Sequence, residues 1–495
     1  MTIALQLLVL IAVIIRFNQF FPFFYAISLL ASIVAVFVII NNKTHPDYKL
    51  AWIIPILSFP IFGGLFYFFV GRSKLSKRMR NKMHVIEEKM RASLNKQPQI
   101  LAWLASLDEN AANQSRYIQD YSYCPPYVNT IAEYFPLGEK KFARFIEELR
   151  KAEKYIFLEY YIIEEGIMWN SILDILVEKA QQGVDVRVIY DGIGCLFTLP
   201  LGYDKRLEKM GIKCCVFNPL IPILSLKLNN RDHRKIAVID GKVGFTGGIN
   251  LADEYINEIE KYGHWKDSAV MLKGDAVWSL TVIFLAMWDY LRGVEEDFNQ
   301  FRPKNQIIDV PQGRGCIQPF SDNPLDDEPV GKTVYLNLIN KAKRYIYITT
   351  PYLIIDNEMA MSLATAAKSG VDVRIITPSR GDSWVVQRVT RSYYKMLVTN
   401  GVKIYEYTPG FMHAKTFTVD DEYGVVGTIN MDYRSLFMHF ECAVWLYRDN
   451  SISTMKEDFL KTLEVCRQIT TEDVNNIKWY HSLLYSIFRI FAPLM

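Results

Sequence analysis

Two stretches of this chain repeat one pattern of strands and helices, and the duplication limits the folds that the chain can adopt. The first copy contains AEKYIFLEYYII from Ala152, GVDVRVIYDG from Gly183 and GIKCCVF from Gly211. The second contains the matching segments AKRYIYITTPYLI from Ala342, GVDVRIITPS from Gly370 and GVKIYEY from Gly401. Each copy reads as a strand, an amphipathic helix, a second strand, a helix and a third strand. The sequence therefore predicts an α/β fold with two homologous sandwich lobes.

Two apolar segments near the N-terminus predict helices that cross a membrane. Residues 20–40 and 50–70 contain no charged side chain, and each segment is long enough to span the hydrocarbon layer as one helix. Because only the polar stretch NNKTHPDYK separates them, we expect a transmembrane helical hairpin. The second span should be a kinked, closely packed helix, since it contains four residues that disrupt helices: Pro55, Pro60, Gly63 and Gly64.

A cluster of basic residues follows the second apolar segment. It comprises Arg72, Lys74, Lys77, Arg78, Arg80 and Lys82. Positive charge beside a membrane span marks the cytoplasmic side, so we expect a multi-pass membrane protein whose lobes are cytoplasmic. The net charge of +3 is too weak for a typical nucleic-acid-binding protein, and the cluster suits an anionic membrane surface instead. We therefore expect a membrane partner and no nucleic acid.

The remaining boundaries follow from composition. Residues 2–15 are a short apolar segment that fits either a further span or an interfacial helix. The tail has apolar residues at helical spacing and fits either docking on the core or contact with the membrane. The expected domains are a membrane region at 1–72, a basic and polar linker at 73–122, a first lobe at 123–300, a second lobe at 301–470 and an amphipathic tail at 471–495.

Each repeat carries a His-x-Lys-x4-Asp motif followed by an asparagine. The predicted catalytic residues of the two motifs are His233, Lys235, Asp240, His413, Lys415 and Asp420, and the asparagines are Asn250 and Asn430. On a strand, residues two apart face the same side, so each lobe presents an imidazole beside a fixed ammonium group. This pair of groups is suited to phosphate. Identical spacing in two copies favours a functional reading over two incidental core strands.

The two aspartates of the motifs have the opposite strand parity from their histidines. Asp240 lies where the strand turns, directly before Gly241, and Asp420 occupies the matching position. By geometry they should brace the turn or form hydrogen bonds within the lobe and remain away from a reacting phosphorus.

These motifs resemble those of the phospholipase D superfamily, whose two lobes form one site at their interface. The second block continues as NMDYRSLFMHFE, similar to the family pattern N-x-D-x-R-S-x3-N-x-E, with His439 in place of the second asparagine. The resemblance implies that one histidine attacks a phosphodiester, giving a phosphohistidine, while the other protonates the leaving alcohol. It implies that the lysines and asparagines of the motifs hold the phosphate oxygens, and that no metal or cofactor is needed. By family analogy, His233 is the expected nucleophile.

Each imidazole needs a hydrogen-bond acceptor on its other nitrogen, and two carboxylates occur at similar distances after the histidines. They are Asp267 and Glu441, and the family pattern pairs such groups across the lobes. We therefore expect His233 to pair with Glu441, and His413 with Asp267. His264 and His481 are expected at the surface or an interface.

Within the superfamily, the chain resembles the cardiolipin synthases. The similarity lies in the segments EYYI, VFNP, NNRDHRKI and TPYLI and in a series of N-terminal positions: Trp52, Pro55, Pro60, Gly63, Tyr67, Gly71 and Arg72. It implies a reversible reaction at the bacterial plasma membrane that converts two phosphatidylglycerol molecules to cardiolipin and glycerol. Arg231, Arg234 and Arg434 are candidates for binding the second lipid phosphate or, equally, for solvated strand edges. The alternatives are a phospholipase D hydrolase that releases phosphatidic acid, or another phosphatidyltransferase.

Overall fold

The computed structural model describes most of the chain. The described residues are 11, 21–42, 45–68, 77–219, 230–303, 315–326, 328–476 and 478–494. Apart from Ile11, the short apolar segment at 2–15 lies outside them, as do Arg72 and Lys74 of the basic cluster.

The first lobe is built on a seven-stranded mixed sheet with the order β1-β8-β6-β5-β2-β3-β4. Strands β2, β3 and β4 are parallel, and the other neighbours are antiparallel. The strands are β1 (Thr130–Phe135), β2 (Tyr155–Tyr160), β3 (Asp185–Asp191), β4 (Lys213–Phe217), β5 (Ile236–Ile239), β6 (Val243–Gly247) and β8 (Ala269–Gly274). β2 and β5 are buried along their whole length, which is why they read as continuous apolar runs.

The second lobe repeats this sheet and adds one strand at its edge, in the order β9-β18-β16-β15-β10-β12-β13-β19. Its strands are β9 (Cys316–Asp322), β10 (Tyr345–Thr349), β12 (Asp372–Pro378), β13 (Lys403–Tyr407), β15 (Thr416–Val419), β16 (Tyr423–Gly427), β18 (Glu441–Tyr447) and β19 (Cys466–Ile469). The first seven correspond one by one to the strands of the first lobe. The predicted α/β fold with two homologous lobes is therefore confirmed.

Four short strands lie outside the two large sheets. They are β7 (His264–Lys266), β11 (Leu353–Ile354), β14 (Gly410–Met412) and β17 (Met431–Asp432). β7 of the first lobe pairs in parallel with β14 of the second, so backbone pairing crosses between the lobes.

Helices cover both sheets. In chain order they are α7 (Gly138–Arg150), α8 (Ile167–Gln181), α9 (Tyr203–Lys209), α10 (Val277–Arg292), α11 (Val330–Lys341), α12 (Asn357–Lys368), α13 (Trp384–Ser392), α14 (Tyr394–Thr399), α15 (Tyr433–Phe437) and α16 (Ser451–Leu463). α10 is buried on almost every face, and its apolar side chains share one core with β5 of the first lobe and β18 of the second. The two lobes are thus joined by a continuous apolar core.

The segment expected to be a linker, 73–122, differs from that expectation. Its described part forms three helices, α4 (Lys77–Ser93), α5 (Pro98–Leu107) and α6 (Glu109–Tyr121), and it packs on both lobes. Leu104 and Ile118 are fully buried in the core of the second lobe, and Ser115 donates a 2.7 Å hydrogen bond to Gln318. The prediction of a linker rested on the polar average composition of the segment. It did not take into account that the apolar residues lie on one side of each helix.

The N-terminal region contains a long helix, α1 (Phe21–Asn41), followed by a helix that stops early, α2 (Pro46–Ser58), and a single turn, α3 (Gly63–Phe66). Of the described helices, α1 is the one that is long and apolar enough to cross a membrane. The expected second span at 50–70 is therefore not one kinked helix, because the chain turns at residues 59–62. Pro60, which cannot donate a backbone hydrogen bond, lies in this turn.

The tail forms α17 (Thr471–Asn475) and α18 (Trp479–Phe491). One face of α18 docks on the second lobe, where Phe488 contacts Trp384 edge to face and Arg489 lies over the ring of Tyr393. On the other face, Leu483 and Ile487 are exposed. The amphipathic tail therefore packs on the protein and leaves an apolar face free.

Candidate active site

Backbone pairing between the lobes places each histidine beside a carboxylate of the other lobe. Asp232 forms a parallel bridge with Phe440, and the N–H of His233 donates to the carbonyl of Phe440 at 3.0 Å. The residues that follow the bridge are His233 and Glu441, so this register brings their side chains together.

The other half of the site has the same construction. In the β14–β7 pair, Met412 lies opposite Lys266, and the N–H of His413 donates to the carbonyl of Lys266 at 2.7 Å. The next residues are His413 and Asp267. Each lobe therefore supplies a carboxylate to the histidine of the other lobe, and the two halves form one composite site.

Both expected imidazole–carboxylate pairs lie within hydrogen-bond distance. Nδ1 of His233 is 2.9 Å and 3.0 Å from the two carboxylate oxygens of Glu441. Nδ1 of His413 is 2.6 Å from Oδ2 of Asp267. Both carboxylates are fully buried, whereas the histidines remain 7% and 6% exposed. A protonated Nδ1 directed at the carboxylate leaves Nε2 of each ring as the nitrogen available for chemistry.

Burial decides the charge of these histidines. Desolvation lowers the pKa of His233 to about 3, although the negative charge of Glu441 opposes the shift. Burial and the nearby Lys415 ammonium lower the pKa of His413 to about 4. Both rings are therefore neutral near pH 7, and a neutral imidazole has the lone pair that a nucleophile or a general base needs.

The two motif lysines are buried beside the histidines but contact them differently. Nζ of Lys235 donates to the main-chain oxygen of His233 at 2.7 Å. Nζ of Lys415 lies 2.9 Å from Nδ1 of His413 and also contacts that residue's main-chain oxygen. Burial lowers the pKa of Lys235 to about 8 and that of Lys415 to about 7. Two desolvated cations in one site favour the arrival of an anion such as a phosphodiester.

The two motif asparagines are not equivalent. Oδ1 of Asn250 accepts from the N–H of Ile162 at 3.1 Å, and its amide nitrogen donates to the hydroxyl of Tyr255 at 2.6 Å. Oδ1 of Asn430 is buried and has no hydrogen-bond partner. Asn250 thus has a structural role in its lobe, while Asn430 retains hydrogen-bonding capacity.

The two motif aspartates hold the backbone of neighbouring strands. The carboxylate of Asp240 accepts from the N–H groups of Glu153, Lys154 and Tyr155 at 2.8–2.9 Å. Asp420 accepts in the same way from residues 343–345 at 2.7–2.9 Å. Both adopt the left-handed conformation, with φ of 52° and 56°. The structure therefore gives them the bracing role that strand parity indicated, although they belong to the motifs predicted to be catalytic.

Two hydroxyl groups that sequence reasoning missed complete the environment of Glu441. Ser435 Oγ donates to Oε1 at 2.7 Å, and Thr428 Oγ1 donates to Oε2. Burial alone would raise the pKa of Glu441, but the neighbouring His233 and His439 outweigh this effect and hold it well below the usual range. Thr428 could have been noticed because the first repeat has Gly248 at the equivalent position, so the two motifs differ there.

His439 adds a third imidazole to the site. Its ring lies 5.5 Å from that of His233, and its Nδ1 lies 3.6 Å from Oε1 of Glu441. The side chain is 8% exposed, and neither ring nitrogen forms a hydrogen bond with the described residues. Nitrogen and oxygen atoms of His233, His439 and Glu441 lie within 4.8 Å of one another, a spacing that a metal ion could use. Because Glu441 already accepts hydrogen bonds from Ser435, Thr428 and His233, these residues are better suited to a metal-free site.

Other candidates from the sequence lie in internal contacts. Arg231 pairs with Asp191 at 3.1 Å, and Arg234 pairs with Glu159 at 2.6 Å and Asp232 at 3.0 Å. These buried pairs engage both arginines inside the first lobe. Among the described residues, Nη2 of Arg231 and Nε of Arg434 have no hydrogen-bond partner. His264 lies at the lobe interface, with Nδ1 2.9 Å from the hydroxyl of Tyr407; the side chain of His481 lies outside the described atoms.

Comparison with solved structures bears on the fold. A crystal structure of phosphatidylserine synthase from Haemophilus influenzae superposes with a TM-score of 0.57 and 14% sequence identity. The match covers 77% of this chain and 97% of that one. At this identity the likeness shows the fold alone.

Comparison with protein families and curated sequences identifies the family. The family model described as "Cardiolipin synthase, PLD-like domain" matches residues 145–288 and 335–463, and "Phospholipase_D-nuclease N-terminal" matches residues 30–72. An uncharacterized protein of Streptococcus mutans is 44% identical, over 93% of this chain and 99% of that one. Cardiolipin synthases of Alkalihalophilus pseudofirmus and Halalkalibacterium halodurans are each 34% identical, covering 93% and 95% of this chain and 92% and 94% of their own. The chain therefore belongs to the cardiolipin synthase family of phospholipase D-like proteins.

Proposed function

We propose that this protein is a phosphatidyltransferase that converts two phosphatidylglycerol molecules to cardiolipin and glycerol. The observation that carries the proposal is the composite site, in which two neutral imidazoles from different lobes are each held by a carboxylate of the opposite lobe. Family membership supports the choice of lipid substrate.

In the first step, Nε2 of one histidine attacks the phosphorus of a phosphatidylglycerol. A P–N bond forms, the P–O bond to the glycerol head group breaks, and the departing alkoxide takes a proton from the other histidine. That second histidine must be protonated when the lipid is bound. The negative phosphodiester favours this state, since an opposite charge nearby raises the pKa of a buried imidazole.

In the second step, the neutral second histidine accepts a proton from the head-group hydroxyl of another phosphatidylglycerol. The hydroxyl oxygen attacks the phosphohistidine, the P–N bond breaks and cardiolipin forms. One phosphodiester is broken and one is made, so the overall reaction is close to balanced and reversible.

The buried cations stabilise the charge that develops on the phosphate. Lys235 and Lys415 are suited to the non-bridging oxygens, because each is fixed beside its histidine and removed from water. Of the asparagines, Asn250 is less suited to this role, because its amide nitrogen, the atom that could donate to a phosphate oxygen, is occupied by Tyr255.

We propose His233 as the nucleophile. Its Nδ1 faces both oxygens of Glu441, and Ser435 and Thr428 fix that carboxylate in turn. Such a network orients the ring and increases the electron density at Nε2. His413, with Lys415 close to its Nδ1, is then the acid and base.

We also propose that the lobes lie at the cytoplasmic face of a bacterial plasma membrane. α1 supplies the membrane span, and the basic residues after position 71 suit the anionic inner surface. The multi-pass arrangement expected from two apolar segments requires a second crossing, which depends on the path of residues 46–68 and on residues before α1.

The reaction is tested with membranes that contain the full chain and phosphatidylglycerol labelled in its phosphate. Wild type and His84→Ala, a variant of an exposed histidine outside the two motifs, should form labelled cardiolipin, and His233→Ala and His413→Ala should not. Phosphatidic acid as the main product of the wild type would contradict the proposal and favour a hydrolase.

The assignment of the nucleophile needs a separate experiment. After acid-free denaturation, labelled phosphate should remain attached to a peptide of His413→Ala, which retains the nucleophile but turns over slowly. No adduct should form on His233→Ala. A labelled peptide containing His413 in the His233→Ala variant would reverse the assignment.

A further inference from the structure

The loop between α1 and α2 contacts the second lobe. Nε2 of His45 lies 3.2 Å from Oδ2 of Asp356, which also pairs with Lys332 at 2.6 Å. The hydroxyl of Tyr433 donates to the carboxylate of Asp47. Burial alone raises the pKa of Asp356, but its contacts with His45 and Lys332 outweigh this effect and hold the pKa at about 2. The start of α2 is thus fixed to the lobe by polar contacts, one of which is to the buried carboxylate of Asp356.

The chain also returns to the lobes after the apolar segment. α4 packs along α10, where Lys89 pairs with Asp289, and Nε1 of Trp278 donates to the carbonyl of Ser93 at 3.0 Å. The chain therefore contacts the lobes both at the start of α2 and at the C-terminal end of α4.

The turn between α2 and α3 lies beside the middle of α1. Ser32 Oγ donates to the carbonyl of Pro60 at 2.7 Å and accepts from the N–H of Gly64 at 3.1 Å. Ser32 precedes Asn41, the last residue of α1, by nine positions, or about 14 Å along a helix. This is roughly half of the ~30 Å hydrocarbon core.

The segment then runs back towards the end of α1 from which it started. The amide of Asn42 donates to the hydroxyl of Tyr67 at 3.4 Å, and the ring of Tyr67 packs edge to face on Trp52 at 5.3 Å. A Cβ on Gly64 would lie 2.5 Å from Cα of Ser32, so the close approach of the returning chain to α1 requires glycine here.

We propose that residues 46–68 form a re-entrant hairpin, which enters one leaflet of the membrane from the side of the lobes and returns without crossing. A second full span would place the loop that contains His45 on the opposite face, about 30 Å from its partners Asp356 and Tyr433. Among the described helices, α1 alone crosses.

The surface of the hairpin fits lipid as its partner. Its outward side chains are large, apolar and exposed: Leu50, Ile54, Leu57, Phe59, Phe62 and Phe66. α18 lies beside α2, and its exposed apolar face extends this surface. At membrane depth, irregular backbone needs partners within the protein, and the hydroxyl of Ser32 satisfies two groups of the turn.

The charge distribution agrees with this topology. In a two-span hairpin, Lys49 would lie outside the cell. In the re-entrant form it lies on the same side as α4, a helix rich in basic residues, which is the arrangement that the positive-inside rule favours. The inference concerns topology and does not depend on the reaction proposed above.

Cysteine accessibility tests the proposal in protoplasts that express the full chain. Asn41→Cys, exposed at the end of α1, should react with a membrane-impermeant maleimide only after permeabilisation, as should Gln181→Cys on the first lobe. Gln19→Cys, just before α1, should react in intact protoplasts. The unsubstituted chain gives the background, since six of its seven cysteines are buried. Reaction of Asn41→Cys in intact protoplasts would overturn the proposal.

A crosslink tests the same topology without relying on reagent access from one side. In membranes, a short bismaleimide should join His45→Cys to Asp356→Cys, and mass spectrometry should detect the joined peptide. The matched control is Lys89→Cys with Asp289→Cys, a pair that both topologies keep together. A crosslink in the control but none between positions 45 and 356 would also overturn the re-entrant hairpin.

Discussion

Nζ of Lys415 lies 2.9 Å from Nδ1 of His413, the same nitrogen that Asp267 approaches to 2.6 Å. The corresponding Lys235 contacts only the main-chain oxygen of His233. The site consists of two similar halves, but the contact between the motif lysine and the motif histidine differs between them. The asymmetry agrees with different tasks for the two histidines, one as nucleophile and one as acid and base.

Loss of charge on either orienting carboxylate should slow the reaction. We expect Glu441→Gln and Asp267→Asn each to lower kcat by roughly 100-fold to 10,000-fold, because the amide no longer selects the required tautomer of the histidine. KM should change little. Asp289→Asn removes a buried carboxylate outside the site and should keep kcat near the wild-type value in folded protein. Equal losses of kcat in all three variants would point to general misfolding instead.

The rate should fall in mildly alkaline solution. Burial lowers the pKa of Lys415 to about 7 and that of Lys235 to about 8. Each lysine is charged below its pKa and neutral above it, so loss of these charges should make kcat/KM, which reports the free enzyme, fall more steeply between pH 7 and pH 9 than the need for a protonated His413 alone would. The bound phosphate stabilises the ammonium form, and kcat should therefore persist to higher pH. Lys415→Arg, which stays charged, should flatten the decrease; a constant kcat/KM up to pH 9 in the wild type would contradict this account.

The motif aspartates should contribute to stability and not to chemistry. Asp240→Asn keeps a residue that tolerates the left-handed conformation, but it replaces a charged acceptor of three backbone N–H groups. We expect a loss of about 1–3 kcal/mol, observed as a lower melting temperature in detergent. Asp275→Asn in an exposed turn is the control. A large fall in kcat at unchanged melting temperature would assign Asp240 a catalytic role.

His439 should contribute to substrate binding. Neither of its ring nitrogens forms a hydrogen bond with the described residues, and the nearest carboxylate oxygen, of Glu441, is 3.6 Å away. His439→Phe should therefore change the melting temperature little. If the imidazole binds a lipid head group, KM for phosphatidylglycerol should rise about tenfold, the effect of losing roughly one hydrogen bond. His439→Asn, which restores polar atoms, should recover part of the affinity. An unchanged KM in His439→Phe would show that the ring does not contact substrate.

Much of the fold was predictable because the strands are short apolar segments that recur in both repeats. The repeated GVDVR segments became β3 and β12, and the two sheets have the same strand order. The His and Lys positions followed from the two-residue period of a strand. Pairing of His233 with Glu441 was expected from similar spacing and family resemblance, and it was realised through the bridge between Asp232 and Phe440.

The parts that the sequence did not predict depend on contacts between distant residues. Hydropathy alone made 50–70 look like a span, whereas the turn at Pro60 is stabilised by Ser32, which lies 28 positions earlier. Likewise, the polar composition of 73–122 suggested a linker, although Ser115 bonds to Gln318 far along the chain. Average composition over a window contains no information about such partners.

Because β7 pairs with β14 and Asp232 bridges Phe440, the two lobes are joined by backbone hydrogen bonds on both sides of the site. Separating the lobes to admit a lipid would break these bonds and move both carboxylates away from their histidines at once. The lobes therefore cannot separate by a hinge motion without breaking the site. We therefore expect a lipid head group to reach the two histidines while the lobes stay joined.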